Sequence, residues 1–242
     1  MDKAKMVGHR ARIGYTSPPL TAEVFLHEFY RVVPDGVTVI ITTLAVTELS
    51  AAEIEQSYAM SMRAARAMVA AGADVMVFGG VPVMATGGDP AEVIARLEAE
   101  LKVKVSTSAA AQEKAMQALG CKKVVIAHGY DASQYERQSS YAKKYGCEVL
   151  GVAGYGVTLP MFGGIPRDAA LELGRKLMRE RPDADSILMP SPHWPTLDAI
   201  DALEQEFGVN VVSASQAAIW DGLRLAGVKD KIRGFGKLFA EH

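Results

Sequence analysis

The chain has 242 residues, of which 49% are hydrophobic and 22% are charged, and its formal net charge is −2 at pH 7. This composition is typical of a globular protein with a large core, and the length suits one large domain or two small ones. The sequence has no basic stripe, no apolar signal core and no apolar run of ~18 residues, so we expect a cytoplasmic protein that binds neither nucleic acid nor membranes.

Short apolar, β-branched segments alternate along the chain with longer helical patterns. The eight predicted strands cover 12–16, 37–44, 74–80, 103–107, 123–129, 148–155, 186–190 and 209–215. Several of them are continuously apolar, as strands are in parallel sheets that are covered on both faces. Strands that alternate with helices therefore predict an α/β fold with parallel sheets.

Start and stop signals fall between these strands where helices need them. Ser50 and Glu53 have the spacing of a capping box. Asp89 and Pro90 offer an N-cap followed by a proline at the first helical position. Glycines that can end a helix follow three helical segments, at Gly72, Gly120 and Gly208.

The sequence also repeats itself. The segment ADVMVFGGVP (73–82) is similar to ADSILMPSPH (184–193), and VSTSAAA (105–111) is similar to VSASQAA (212–218). The two offsets differ by only a few residues, which indicates duplication of a four-strand unit.

Duplication predicts two pseudo-symmetric Rossmann-like lobes, each a roughly four-stranded parallel sheet flanked by helices, with the active site between them. We assign 1–108 plus 216–242 to the first lobe and 109–215 to the second. Ligands of open parallel sheets bind beyond the carboxyl ends of the strands, where helix N-termini can hold a carboxylate. The segment PSPHWP (190–195) follows a predicted strand at such a place.

Four segments carry a resemblance to a known group: RIGYTSPP, MPSPHWPTLDAI, LEQEFGVNVVSASQAAIWDGLRLAG and the closing GFGKLF. With them the chain resembles the maleate cis-trans isomerase and arylmalonate decarboxylase branch of the aspartate/glutamate racemase superfamily. The resemblance implies two lobes that close on a small carboxylate without a cofactor or a metal. It also implies two catalytic cysteines at matching strand ends in racemases and isomerases, and only the second, with glycine at the first, in decarboxylases.

The sequence departs from this pattern at the chemical centre. The first cysteine position falls on Gly80, as in the decarboxylases, and the second falls on Ser191. The hydroxyl residues that would follow the first position are replaced by Val81 and Pro82. A tyrosine that holds the carboxylate in the family corresponds to Tyr130.

The two cysteines, Cys121 and Cys147, match neither catalytic position, and we interpret them as buried, reduced thiols. A thiol pKa near 8.5 moves readily towards neutrality, whereas a serine hydroxyl needs an adjacent base. The family mechanism is therefore not available as usually written. His193 could activate Ser191 or act itself as acid or base, because imidazole titrates near neutral pH.

We predict Ser191, His193 and Tyr130 as catalytic residues. Loss of polar groups beside the first position favours a substrate with at most one carboxylate, or an amide, ester or lactone, together with an apolar portion. The predicted substrate-binding residues are Ser17, Pro18, Gly79, Gly80, Val81, Pro82, His128, Pro192 and Trp194.

Three functions stay open on the sequence. The first is a cofactor-independent lyase (decarboxylase) or isomerase of a small carboxylate, with Ser191 in place of the family thiol. The second is a serine-dependent hydrolase in which His193 or His128 is the base and strand-end amides bind the oxyanion. The third is a non-catalytic binder of small carboxylates. Self-assembly into a homo-oligomer is open in all three.

Overall fold

Two separate four-stranded sheets form the framework of the protein, in a computed structural model that describes residues 3–48 and 50–242. All strand pairs are parallel. The strands are β1 (Ala11–Ser17), β2 (Val37–Thr43), β3 (Val75–Phe78), β4 (Lys104–Thr107), β5 (Lys123–Tyr130), β6 (Glu148–Val157), β7 (Ser186–Met189) and β8 (Asn210–Ser213). Each of them coincides with one of the predicted strands, and the predicted α/β class with two parallel sheets is confirmed.

Helices follow most of the strands, as the alternating pattern predicts. They are α1 (Glu23–Val32), α2 (Ala51–Ala70), α3 (Val81–Thr86), α4 (Pro90–Leu101), α5 (Ser108–Ala118), α6 (Tyr135–Lys144), α7 (Ala169–Glu180), α8 (Leu197–Phe207), α9 (Ala214–Leu225) and α10 (Lys237–Glu241). Short 3₁₀ turns occur at Lys3–Lys5, Ala132–Gln134 and Leu159–Gly164. Over 3–48 and 50–242, none of these helices has both the length and the apolar character that crossing a bilayer requires.

The helix signals act largely as predicted. Ser50 caps α2 by accepting a bond from the Glu53 N–H at 3.4 Å. The other half of the capping box differs, because the Glu53 carboxylate accepts from the N–H groups of Thr47 and Glu48 instead of reaching back to Ser50. Asp89 caps α4 with its side chain. Each cap satisfies N–H groups that the first helical turn leaves without partners.

The two sheets have the same strand order, β2-β1-β3-β4 in one and β6-β5-β7-β8 in the other. Matching aspartates hold matching strands. The Asp74 carboxylate accepts the Arg12 N–H at 2.8 Å before β3, and the Asp185 carboxylate accepts the Lys123 N–H at 3.0 Å before β7. The repeated ADVMVF and ADSILM segments thus occupy the same place in each sheet, which supports the duplication.

The chain divides into two compact units. Unit 1 comprises Met1–Ala22, Phe29–Ala111 and Ala218–Asp230, and unit 2 comprises Glu23–Glu28, Gln112–Ala217 and Lys231–His242. The segments 23–28 and 231–242, which the sequence-based boundaries gave to the first lobe, group with unit 2. Hydrogen bonds explain part of this difference, because Glu28 and the segment before α10 both bond to residues of unit 2.

Each unit has a core on the faces of its sheet. In unit 1, Met76 and Phe78 of β3 pack with Leu97 of α4, and all three are fully buried. In unit 2, Ile126 of β5 and Leu188 of β7 are fully buried. Burying one such side chain stabilises the fold by about 1.5–3 kcal/mol. The buried central strands therefore fix the positions at which the strand-end loops begin.

Candidate active site

A proline-rich loop connects β7 to α8 in unit 2 and carries the predicted catalytic serine and histidine. Prolines at 190, 192 and 195 cannot donate to a strand ladder or continue into the helix. Each also biases the residue before it towards extended backbone. His193 has a φ of 76°, in the left-handed region that few non-glycine residues occupy. The sequence thus ends β7 sharply and turns the chain before α8.

The Ser191 side chain is buried, with 2% of its surface exposed. Its Oγ atom has no hydrogen-bond partner anywhere in the described residues. A buried hydroxyl without a partner costs about 1–3 kcal/mol, and native proteins keep few of them. A ligand or a water molecule that bonds to this hydroxyl would remove that cost.

His193 is fully buried, and its ring lies 6.1 Å from the ring of Phe25, measured between centroids. Burial lowers the pKa of His193 to about 3. The expectation that this imidazole titrates near neutral pH is therefore wrong, because desolvation disfavours the charged form. The ring also does not bond to Ser191, whose hydroxyl has no partner among the described residues.

Trp194 is the largest fully buried side chain of the loop. Its indole Nε1 has no hydrogen-bond partner within 3–48 and 50–242. The neighbouring Pro192 is half-buried. The loop thus contributes a second buried polar group without a partner among the described residues, and the binding roles of Pro192 and Trp194 stay predictions.

His128 lies in the buried part of β5 and is itself fully buried. Its ring packs edge-on against Tyr135 at 5.1 Å, and neither ring nitrogen meets a hydrogen-bond partner among the residues described. Burial lowers the pKa of His128 to about 4, although the nearby Tyr130 backbone opposes the shift. Gly154 of β6 makes room for the ring, since a Cβ there would lie 2.8 Å from His128 Cε1.

Tyr130 is half-buried and packs against Phe162, with ring centroids 4.6 Å apart. Burial raises the pKa of Tyr130 to about 12. Its phenol is therefore protonated at neutral pH and can donate a hydrogen bond to an anion. This is the role that the family resemblance implies for it, and the role itself stays a prediction.

Tyr130 and Ser191 lie at the same edge of the unit 2 sheet. Strands β5 and β7 are neighbours in parallel register, with Ile126 opposite Leu188. Tyr130 ends β5, and Ser191 follows the end of β7, so both lie at the carboxyl edge of the same sheet. Ligands of open parallel sheets bind at this edge.

The cysteines lie at the opposite, amino edge of the unit 2 sheet, just before β5 and β6. The Cys147 Sγ atom is 3.6 Å from the Cys121 carbonyl oxygen, and both thiols are free. Cys147 is buried and Cys121 is half-buried. Burial raises the pKa of Cys121 to about 12. Both thiols thus lie at the edge of this sheet opposite to Ser191, and the prediction that neither cysteine is catalytic stays a prediction.

In unit 1, the predicted binding residues lie at the ends of β1 and β3. The Ser17 hydroxyl donates to the Pro19 carbonyl at 3.1 Å, so it stabilises the turn after β1. The Gly79 N–H donates to Thr16 O at 3.0 Å, and a Cβ on Gly79 would lie 2.5 Å from Pro18 Cγ. Close approach of these two turns therefore requires glycine at 79.

Gly80 differs from its neighbour. A Cβ on Gly80 would meet only the flexible Met84 Sδ, at 3.3 Å, and its φ of −68° suits any residue. Packing therefore does not force glycine here. Val81 and Pro82 follow as the buried first turn of α3, and this turn offers no side-chain donor.

Sequence reasoning missed a buried carboxylate next to the Ser191 loop. Glu28 of α1 is 2% exposed, and its Oε1 accepts the N–H groups of Thr196 at 2.7 Å and Leu197 at 2.8 Å. Its Oε2 accepts from the Ser215 hydroxyl. The N-terminus of α8, which could have held a substrate carboxylate, is thus occupied by the protein's own acid. A local pattern could not reveal this, because Glu28 is far from Thr196 in sequence.

The last residue of β8, Ser213, supplies the cap of α9. The helix begins at Ala214, and Ser213 is the cap, because its Oγ accepts the Gln216 N–H at 3.1 Å. Ser213 also receives a bond from Thr196 Oγ1 at 3.0 Å. The described part of the chain contains no cluster of three or more His, Cys, Asp or Glu side chains suited to a metal ion.

Comparison with known proteins agrees with this architecture. A sequence model of arylmalonate decarboxylase matches residues 13–239. Arylmalonate decarboxylase of Bordetella bronchiseptica is 33% identical over 142 residues, which span 56% of this chain and 58% of that protein. The match thus covers less than two thirds of the relative's length.

Solved structures have the same fold over nearly the whole chain. A crystal structure of arylmalonate decarboxylase superposes with a TM-score of 0.81 at 27% identity, over 96% of this chain and 100% of that chain. Maleate isomerase Iso from Pseudomonas putida S16 has a TM-score of 0.81 at 21% identity, over 96% and 98%. The resemblance that the sequence motifs carry is therefore confirmed, and the chain belongs to the arylmalonate decarboxylase family.

Proposed function

We propose that the protein is a cofactor-independent decarboxylase or isomerase of a small carboxylate, in which Ser191 replaces the catalytic thiol of its family. The observation that carries this proposal is the buried Ser191 hydroxyl without a partner, at the carboxyl edge of the unit 2 sheet. Family membership supports the reaction class. The repeat pairs Ser191 with Gly80, the two positions where the family pattern has its reactive groups.

For a malonate-type substrate, the bond between the α-carbon and one carboxylate breaks and CO₂ leaves. The electron pair stays on the α-carbon, where the remaining carboxyl group delocalises it, and a proton then adds to that carbon. A serine hydroxyl is a weak acid, so Ser191 needs a relay from solvent to supply this proton. A hydrogen bond from Ser191 to the developing anion would stabilise the same transition state.

Other groups of unit 2 fit supporting roles in this proposal. Tyr130 is a neutral phenol at pH 7 and would donate to the retained carboxylate. His193 is neutral at pH 7, so it would act as a hydrogen-bonding ring and not as an imidazolium acid.

The test is turnover of phenylmalonate in heavy water, followed by NMR. We expect release of CO₂ and one deuterium at the α-carbon of the product. Ser191→Ala should lower kcat/KM about 100-fold or more, which corresponds to about 2.7 kcal/mol of transition-state stabilisation. Ser191→Cys should exceed the wild type, because a thiol donates a proton more readily near neutral pH.

Ser186→Ala is the matched control, because Ser186 is a fully buried serine at the other end of the same strand. It should keep kcat/KM within about twofold of the wild type. Absence of turnover with arylmalonates and with maleate would overturn the proposal. So would full activity in Ser191→Ala.

The serine hydrolase alternative receives less support from the geometry. Its nucleophile would need a base as partner, and no imidazole bonds to Ser191 among the described residues. A covalent adduct at Ser191 with a fluorophosphonate would nevertheless favour it. Tight binding of phenylacetate without turnover of any of these substrates would favour the non-catalytic binder.

A further inference from the structure

The loop that carries Ser191 is fixed at its exit by hydrogen bonds from outside the loop. Glu28 Oε1 accepts both the Thr196 N–H and the Leu197 N–H, at 2.7 and 2.8 Å. Thr196 Oγ1 in turn lies 3.0 Å from Ser213 Oγ and 3.3 Å from Ser215 Oγ. Three elements, α1, β8 and α9, therefore converge on the residue at which the loop becomes α8.

Two polar side-chain groups inside the loop lack anchors of this kind. The Ser191 hydroxyl and the Trp194 indole N–H have no partners within the described residues. His193 adopts a left-handed backbone, which is strained for a non-glycine residue and persists only where the surroundings enforce it. Hydrogen bonds that fix the end of the loop, at Thr196, are one way to hold His193 in this conformation.

Glu28 is well suited to this task. Its side chain is 2% exposed, and its helix enters unit 2 from a distant part of the sequence. Burial raises the pKa of Glu28, and the bonds from Ser215, Leu197 and Thr196 oppose the increase. Removing the side chain would leave two N–H groups without their acceptor in a buried place, where an unmade hydrogen bond is destabilising.

We propose that Glu28 is the positioning residue of the active-site loop: by holding Thr196 and Leu197 it sets where Ser191 and His193 lie. It acts through these backbone groups and not by touching the substrate. The consequence for catalysis rests on the proposed function. The consequence for the loop does not, and it can be measured without a substrate.

Trp194 serves as the reporter, because it is fully buried within the loop and the chain has only two tryptophans. Trp220→Phe makes it the single tryptophan. In that background, Glu28→Ala should shift the Trp194 emission to the red and raise its acrylamide quenching constant about threefold or more, because the loop opens locally. Glu28→Gln should leave both unchanged, since one amide oxygen can accept the same two N–H groups.

Two further variants separate loop positioning from general damage. Glu204 is a buried acid of α8 that accepts the Val211 N–H at 3.2 Å and the Lys237 N–H at 2.8 Å. Glu204→Ala is thus the matched control, because it also removes a buried acid that accepts two backbone N–H groups, and it should leave Trp194 shielded. Ser215→Ala removes the bond to Oε2 and the hydroxyl contacts with Thr196 and Ser213, but it keeps both backbone bonds to Oε1. It should therefore give a smaller increase in quenching, which keeps the test valid if Glu28→Ala does not fold.

Kinetics provide the second readout. Glu28→Ala should lower kcat about tenfold or more with little change in KM, and Glu28→Gln should restore kcat to within about threefold of the wild type. If acrylamide quenches Trp194 no more in Glu28→Ala and Ser215→Ala than in the wild type, the proposal is overturned. Loss of stability without a change in kcat would also overturn the catalytic part. If the wild type turns over no substrate, the proposed function fails, while the fluorescence result still decides the role of Glu28.

Discussion

The ends of β3 and β7 occupy the same place in two sheets of the same strand order, yet the chain leaves them in different ways. After β3, Gly79 and Gly80 lead directly into α3. After β7, a proline-rich loop that contains buried Ser191, His193 and Trp194 precedes α8. The comparison shows that the duplicated sheet sets the place of a strand end, whereas the loop sets the chemistry that can occur there.

Replacement of Trp194 should give the largest effect on stability, because it is a large, fully buried side chain in the loop after β7, whereas two glycines follow β3. Trp194→Ala should lower the free energy of unfolding by about 3–5 kcal/mol, since it empties a fully buried site. Urea denaturation followed by circular dichroism measures it. Trp194→Phe is the control and should lose only about 1 kcal/mol, because Nε1 makes no hydrogen bond among the described residues.

The two glycines after β3 should respond differently to the same change. Gly79→Ala should lower the free energy of unfolding by about 2–3 kcal/mol, because its Cβ would lie 2.5 Å from Pro18 Cγ and 3.0 Å from Thr16 O. Gly80→Ala should change it by less than about 1 kcal/mol, since only Met84 is near. Equal losses in the two variants, measured by urea denaturation, would contradict the assigned packing.

The buried His193 should make the protein less stable in acid. Its pKa is about 3 in the folded chain and 6.5 in the reference state. Between these values the unfolded chain binds more protons, so the free energy of unfolding falls as pH drops from 6.5 towards 3. His193→Asn, which tolerates the left-handed backbone, should reduce this fall by about 2 kcal/mol between pH 6.5 and 4.5. Parallel pH curves for the two proteins would count against a neutral, buried imidazole.

Alkylation of the cysteines should have the smallest effect. Cys121 and Cys147 lie at the amino edge of the unit 2 sheet, and burial raises the pKa of both thiols. Iodoacetamide at pH 7 should therefore leave turnover within about twofold of the untreated protein. The Ser191→Cys variant is the positive control, because its new thiol lies at the carboxyl edge. Inactivation of the wild type that tracks either native cysteine would refute the assignment of Ser191.

Much of this fold follows from local patterns. The eight strands were predictable because each is a short apolar run between turn signals, and the repeated segments revealed that they form two equivalent sheets. Helix caps at Ser50 and Asp89 depend on residues three positions apart or fewer. Such signals act over a few residues, so a single sequence reveals them.

The site was only partly predictable, because its properties depend on contacts between distant segments. Ser191 and His193 could be placed at a strand end from the proline pattern alone. Burial then lowers the pKa of His193 far below its usual value, and no sequence pattern indicates how deeply a loop residue is buried. The role of Glu28 was likewise not predictable, because it depends on a contact between α1 and the start of α8.

The aspartates before β3 and β7 also bear on how such a protein can change. Asp74 and Asp185 each accept a backbone N–H from the neighbouring strand at the amino edge of their own sheet. Because these bonds lie away from the carboxyl edges, substitutions in a turn at a carboxyl edge leave them intact. Evolution could therefore exchange a thiol for a hydroxyl, or a tight turn for a longer one, while the strands keep their register. The same separation would let an engineer graft new loops onto either half.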